Sequence, residues 1–485
     1  MSLASSAATK SSAVRARLTH PVIDSDGHTI EFAPAVNDYL SKIAGPDLLA
    51  RFGNVNDLVA AGGWHRQTGP ERFDRRNIRP PWWGFPSKNT LDRATTTLPK
   101  LLYQRMEQFG LDFTVVYPTL ALYAAHLKDD ELRRTVSRAF NMYNADLFRE
   151  FSDRMTPVAV IPMHTPQEAI AELEFVVKEL GLKVVMMPGN VRRPVPIVQQ
   201  RAPEVARYAF WVDNLAVDSL YDYDPVWAKC IELGVAPTFH SSSMGWGSRT
   251  SISSYVYNHI GNFAAAGEAV CKALFLGGVI RRFPQLRCAF LEGGAGWACN
   301  LYSDIIGHWS KRNRRDVQNY NPASLDRDMF RDLCQRYGTP LIQERLHALD
   351  TGERLSGPEE DPATLDEFAA CGIEKPEDVR DVFARNFYFG CEADDPMNAW
   401  AFNSRVNPYG ARLNAIFSSD IGHWDVPDMT EVTEEAYELV EHGIITEDDF
   451  RDFVFANPAR LWTAMNPDFF KGTAVEDSVT KLLTA

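Results

Sequence analysis

The sequence predicts an α/β fold, a distorted (β/α)8 barrel of the TIM type, on two observations. Eight short apolar runs rich in β-formers recur along the 485 residues, most of them near-continuous rather than alternating. That is the pattern of parallel strands buried on both faces. Amphipathic helical patterns lie between several of them, giving the strand–helix alternation of a parallel barrel.

The first run, PVIDSDGH (21–28), passes from Val22 and Ile23 into Asp24, Asp26 and His28 at two-residue spacing. A strand has period two, so the polar residues share one face. Alone, this reads first as a strand entering a polar loop, and as a pair of metal ligands only if partners lie elsewhere in the chain. The second run is DFTVVYPT (112–119), followed by the helical pattern LRRTVSRAFNMYNADLFREF (132–151). The third, PVAVIP (157–162), leads to His164 and then to a helix predicted over 166–181. That helix carries Ala169, Leu173, Val176, Val177 and Leu180 on one stripe, with Gly181 as its stop signal. KVVMMP (183–188) is the fourth run, and DPVWAKCIELG (224–234) is the helix before the fifth, VAPTFH (235–240), which ends on His240. LRCAFLEG (286–293) contains Glu292, NFYFGCE (386–392) is the seventh run, and LNAIFSSD (413–420) ends on Asp420 with His423 and Asp425 close behind.

Two intervals, 29–111 and 294–385, are too long for simple connections and place insertions around 33–100 and 310–380, after the first and sixth strands. Such excursions commonly form lids or subunit contacts. Residues 1–18, rich in Ser and Ala, are expected to be a disordered tail, 19–470 a single barrel domain, and 471–485 a C-terminal tail.

A net charge of −14 argues against nucleic-acid or anionic-membrane binding, both of which need a basic face. No run reaches the length of a membrane span and no signal peptide is evident, so a cytoplasmic protein is expected. The seven cysteines are scattered, with no CxxC pair, and read as reduced structural thiols. GGAG (293–296) lacks GxGxxG spacing, and GxSxG is absent, which disfavours a dinucleotide site and a serine hydrolase.

In a barrel the strand C-termini surround one mouth. Asp26, His28, His240, Glu292 and Asp420 therefore converge from four separated segments. Nitrogen and carboxylate donors without thiolate suit zinc best, with manganese or iron as alternatives. An open position lets an ion acidify water, and Asp420 or Glu292 beside it handles the proton, with His423 orienting the carboxylate. Singly, each has a plainer reading: Asp26 as a loop cap, His240 as a core histidine, His423 with Asp425 as a surface ion pair. Glu292 resists this, because an unpaired carboxylate after an apolar strand is costly to bury. His164, His259 and Trp297 are candidate substrate contacts, and Trp82 and Trp83 either shape an aromatic pocket or simply pack.

Seven ordered stretches, VIDSDGH, MEQFGLDFTVVYPT, ELGLKVVMMPG, YDPVWAKCIELGVAPTFH, GGVIRRFPQLRCAFLEGGAGW, FSSDIGHWD and FANPARLW, span most of residues 20–465. Together they resemble the amidohydrolase-related group that includes aminocarboxymuconate-semialdehyde decarboxylase, the γ-resorcylate-type decarboxylases and related C–C hydrolases. The resemblance implies one divalent metal, usually zinc or manganese, at the strand C-termini. The family's two alternating first-strand ligands, often His-x-His, match Asp26 and His28; its fifth-strand histidine matches His240. Its eighth-strand aspartate, a metal ligand that takes part in proton transfer, matches Asp420. Decarboxylase members typically carry a histidine where this chain has Glu292, and that departure puts direct carry-over of decarboxylation in doubt.

The expectation is a metal-dependent hydrolase acting on a small polar or aromatic substrate. The alternative is non-oxidative decarboxylation of an aromatic or unsaturated acid. An iron- or manganese-dependent oxygenase and a catalytically silent scaffold are more distant alternatives. The long insertions and the family habit favour a homodimer or higher homo-oligomer.

Overall fold

A computed structural model describes residues 8–52, 61–81, 86–240, 249–350, 360–361 and 364–484. Eight parallel strands form a barrel in the order β1 (Ile23–Thr29), β2 (Phe113–Pro118), β3 (Met155–Val160), β4 (Val184–Met187), β7 (Pro237–Phe239), β8 (Cys288–Phe290), β9 (Phe387–Cys391) and β10 (Asn414–Phe417). β5 (Val191–Pro194) and β6 (Phe210–Asp213) form a separate antiparallel hairpin between β4 and β7. Each of the eight predicted runs contains or overlaps one barrel strand. Nearly every barrel-strand residue is buried, as helices outside and packed side chains inside demand.

Closure between the first and last strands runs through loop backbone. Asp420 N–H donates to the Asp26 carbonyl at 3.0 Å, and His28 N–H to the Ile421 carbonyl at 2.9 Å. β1 also carries a bulge: Asp24 pairs with Thr114 and Gly27 with Val116, so one extra residue sits between them. A bulge bends the strand and re-aims its side chains, and here it lies directly at Asp26. Gly27 is required there, since a Cβ would meet Asp24 Oδ2 at 2.6 Å and Thr114 Oγ1 at 2.9 Å.

Three expectations need correction. Residues 10–17 are not a disordered tail. Lys10–Arg17 is a helix capped by Thr9, with Val14 buried and the Ser11 hydroxyl accepting from Thr433 N–H and Glu434 N–H, each at 3.1 Å. Arg15 adds an ion pair to Asp112 at 2.5 Å. The tail at 471–485 likewise holds a helix, Glu476–Thr484, docked through buried Val479. The helix predicted over 166–181 is α-helical only over Pro166–Glu174, opened by a Thr165/Glu168 capping box, and finishes in a π turn, Phe175–Glu179. The widened turn rotates the stripe, so Val176 stays buried while Val177 and Leu180 sit at the core's edge.

The interval after β1 holds helices Ala33–Ile43, Pro46–Phe52 and Thr90–Thr97. After β8 comes the helix Gly296–Arg312, then an outlying set including Arg327–Tyr337 and Pro340–Gln343, neither of which has a buried residue. Among the described residues, no helix is long and apolar enough to cross a membrane. The described cysteines are free, and all but Cys334 are buried.

Arg133 is the largest charge in the core. Its guanidinium is fully buried, donating to Glu168 at 2.8 and 3.3 Å, to Asp130 at 2.7 Å and to the Leu127 carbonyl at 2.8 Å. Arg133→Ala strands Glu168 as a buried uncompensated carboxylate, and we expect a loss of about 3–5 kcal/mol in urea unfolding. A loss below about 1 kcal/mol refutes this.

Candidate metal centre

Asp26 and His28 lie on β1, His240 follows β7, Glu292 lies two residues past β8, and Asp420 and His423 follow β10. The structure brings these six side chains together. His28 Nε2 lies 3.4 Å from Asp26 Oδ1, 3.3 Å from Glu292 Oε1 and 3.4 Å from Asp420 Oδ1. His240 Nε2 is 3.2 Å from Glu292 Oε1 and 3.4 Å from His28 Nε2. His423 Nδ1 approaches Asp420 Oδ1 to 2.6 Å and Glu292 Oε1 to 3.3 Å.

Two backbone positions aim carboxylates into the mouth. Glu292 and Asp420 have left-handed φ values of 55° and 50°, a conformation that costs a β-carbon residue roughly 1–2 kcal/mol. Asp24 stands behind them. Its carboxylate accepts from Thr114 Oγ1 (2.7 Å), Ser419 N–H (2.9 Å), Ser419 Oγ (2.7 Å) and Asp26 N–H (3.2 Å). It thus ties β1, β2 and the β10 loop together beside Asp26 and Asp420.

Asp26 Oδ1 and Oδ2, Glu292 Oε1 and Asp420 Oδ1 are buried and have no hydrogen-bond partner. Buried acceptors in that state are costly. Four donors within 4.8 Å of one another, Asp26, His28, His240 and Glu292, form one metal-compatible group. Spacings of 3.2–3.4 Å fit ligands sharing one ion at roughly 2.1 Å. A divalent cation therefore fits the residues present.

The electrostatics agree. Burial pushes the Asp26 carboxyl well up, with Glu292 and Asp24 adding to it and His240 opposing. Asp420 is also pushed well up, by burial and then by Asp425 and Glu292. Burial acts in the same direction on Glu292, but His240, His28 and His423 outweigh it and hold the carboxyl well below its usual range. Three facing carboxyls cannot all ionise unaided, and a dication among them removes that conflict.

The other sequence-predicted contacts sit farther out. His259 stacks edge-on with Phe263 (5.4 Å) and Trp424 (5.5 Å), and Phe263 in turn lies 5.8 Å from the His240 ring. Trp297 packs edge-on against Phe290 and Phe389, beneath the Gly293 turn. His164 lies at the start of the helix Pro166–Glu174, its N–H donating to Glu168 and its carbonyl accepting from Arg193. Burial and Arg133 press its imidazole down to about 3. Trp82 and Trp83 fall outside the described residues.

Two acidic residues that sequence reasoning leaves unassigned also bear on the mouth. Glu392 follows β9, and burial together with Asp425 and Glu292 raises it to about 8. Its signal was present, since it ends the seventh run as Asp420 ends the eighth. Glu31, two residues past β1, accepts from the N–H groups of Thr119 (3.2 Å), Leu120 (2.8 Å) and Ala121 (3.1 Å). Thr119 Oγ1 reaches His423 Nε2 at 3.4 Å.

Burial raises Glu31 from 4.5 to about 7, against those N–H groups. A raised folded-state pKa gives stability that is complete below the unfolded value and is lost as pH rises through the folded one. Relative to Glu31→Gln, the wild type is therefore expected to lose about 3 kcal/mol between pH 4.5 and pH 7. Parallel stability–pH curves for the two proteins would refute the assignment.

Comparison with known proteins gives a partial family-model match. A family model described as "Amidohydrolase" matches residues 81–315. The match covers a little under half of the chain. The matched span begins ahead of the helix Thr90–Thr97 and runs through the helix Gly296–Arg312, and so carries His240 and Glu292 but not the β1 pair or Asp420. Among solved structures, the chain is similar to 2,6-dihydroxybenzoate decarboxylase from Rhizobium, at 13% identity and TM-score 0.47, covering 92% of this chain and 99% of that one. It is also similar to a Polaromonas dihydroxybenzoic acid decarboxylase with bound manganese and 2-nitroresorcinol, at 13% identity and TM-score 0.46, covering 93% and 100%. A third is an amidohydrolase from Mycobacterium avium subsp. paratuberculosis, at 16% identity and TM-score 0.49, covering 92% and 98%. No curated protein matches the chain.

Proposed function

We propose that this protein is a metal-dependent hydrolase of small polar or aromatic substrates, with Asp26, His28, His240 and Asp420 as metal ligands. The observation that carries the reading is the set of buried acceptor oxygens without hydrogen-bond partners, converging with two imidazoles on one point. A divalent ion held there, with zinc the best fit to the donors and manganese or iron the alternatives, supplies a Lewis acid that polarises a substrate oxygen and acidifies water. Glu292, held ionised by His240 and His28, is the group disposed to accept a proton from the attacking water. Asp420, whose carboxyl burial and then Asp425 push well above its ordinary range, is disposed to return one to the leaving group. His423 fixes the orientation of Asp420 through its Nδ1.

A second reading is non-oxidative decarboxylation, and Glu392 is the observation that favours it. A carboxyl raised to about 8 is protonated at neutral pH, and the carbon that loses CO₂ must gain a proton. A panel of aromatic acids, amides and esters separates the readings. Hydrolysis of an amide or ester without CO₂ release supports the first; CO₂ release with the ring retained replaces it with the second.

We further read the protein as a homodimer or higher homo-oligomer. Met329, Leu333, Tyr337 and Leu341 expose apolar surface on the excursion after β8, an area that self-association would cover.

A further inference from the structure

We propose that His126, His164 and Arg192 form an oxyanion-binding site on the barrel rim, apart from the metal centre, that takes a carboxylate or a phosphate group.

The three residues come from neighbouring barrel segments. His126 follows β2 and the single helical turn Ala121–Ala124, His164 follows β3, and Arg192 lies on β5, the hairpin strand reached directly from β4. Parallel strands end at one rim, so the trio occupies the β2–β4 arc of that rim. The residues of the metal centre come instead from β1, β7, β8 and β10.

Arg133 ties the two imidazole-bearing segments together. It donates to the carbonyl of Leu127, next to His126, and to Glu168, each at 2.8 Å. Glu168 in turn accepts from the N–H groups of His164 and Thr165. Arg193 donates to the His164 carbonyl at 2.8 Å. Both of these arginines are neutralised, Arg133 by Glu168 and Arg193 by Asp213.

What remains is a set of donors with no counter-charge. His126 Nε2 and His164 Nδ1 are buried without a hydrogen-bond partner. Glu168 Oε1 stands 3.9 Å from His164 Nδ1, beyond hydrogen-bond reach. The Arg192 guanidinium lies 5.0 Å from the Phe210 ring centroid, and no carboxylate acts on its charge. The His164 side chain keeps 19% exposure, so a solute can reach it.

The signs of the interactions select the ligand. Burial, then Arg192 and Arg133, hold the His126 imidazole down at about 4, and His126 and Arg133 both press on His164. Like-signed groups gathered in this way repel a cation and oppose one another's charging. An oxyanion among them accepts from the guanidinium and from an imidazole N–H on either side, and charge-assisted bonds of that kind are the strong ones. The inference does not depend on the metal reading, because none of the three residues belongs to that centre.

The test uses the full-length protein stripped with chelator, so that no bound metal competes for the anion. Isothermal titration with inorganic phosphate and, separately, with benzoate is expected to show one site per chain for at least one of the two. Phosphate alone identifies a phosphate site, and benzoate alone a carboxylate site. Arg192→Gln and His126→Gln are each expected to weaken that binding about 10-fold or more. Thermal melts without anion establish that each variant is folded, and Arg192→Gln, on the outward face of the hairpin, is expected to melt with the wild type. Failure of both probes to bind the wild type overturns the proposal and leaves the metal centre standing. Wild-type affinity in both folded variants places the anion elsewhere and overturns it equally.

Discussion

Asp26→Asn is expected to bind the divalent ion more than about 100-fold more weakly than wild type and to lose catalytic turnover with it. The substitution keeps the shape and removes the charge. Partners that merely support a ligand are worth about 10–100-fold in metal affinity, so loss of a ligand should exceed that range. The chelator-treated fold should move the other way. Asp26 is buried with both oxygens unpartnered, and an uncharged amide relieves its desolvation. Metal-stripped Asp26→Asn should therefore melt no lower than metal-stripped wild type, and added metal should stabilise only the wild type. Isothermal titration and thermal melts with and without Mn²⁺ check both signs. Unchanged affinity would remove Asp26 from the centre.

Asp24→Ala is expected to cost about 3–5 kcal/mol of stability and to weaken metal binding by about 10–100-fold. The two effects share one cause. The Asp24 carboxylate collects donors from Asp26, Thr114 and Ser419, and Ser419 precedes Asp420, a proposed ligand. Truncation leaves those donors buried and unpaired and loosens together two segments that carry proposed ligands. Asp24→Asn keeps one acceptor oxygen and should fall between wild type and Asp24→Ala in urea unfolding. Wild-type metal affinity in Asp24→Ala would reduce Asp24 to a packing residue.

How much of this was legible in the sequence depends on where the stabilising contacts lie. The barrel strands were readable because burial on both faces writes itself as short continuous apolar runs. The convergence of Asp26, His28, His240, Glu292 and Asp420 followed from one rule, that parallel strands end at the same rim. The helix Lys10–Arg17 was not readable. It buries a single apolar side chain of any size, Val14, and is held by a Thr9 cap, by Ser11 against the Thr433 backbone and by Arg15 against Asp112. Those contacts span up to 422 residues of sequence separation and leave no local periodicity. The β1 bulge is equally silent, since it depends on pairing with β2 rather than on composition. Asp24 shows the same limit: spacing identified it as a face-mate of Asp26, but only the fold reveals that it holds Ser419.

Anomalous diffraction from crystals grown with Mn²⁺, collected at the manganese edge, tests the central claim most directly. A peak is expected at roughly 2.0–2.4 Å from ligand atoms of Asp26, His28, His240 and Asp420, beside Glu292. A saturated crystal with no peak at that point, or with its metal bound elsewhere, would contradict it.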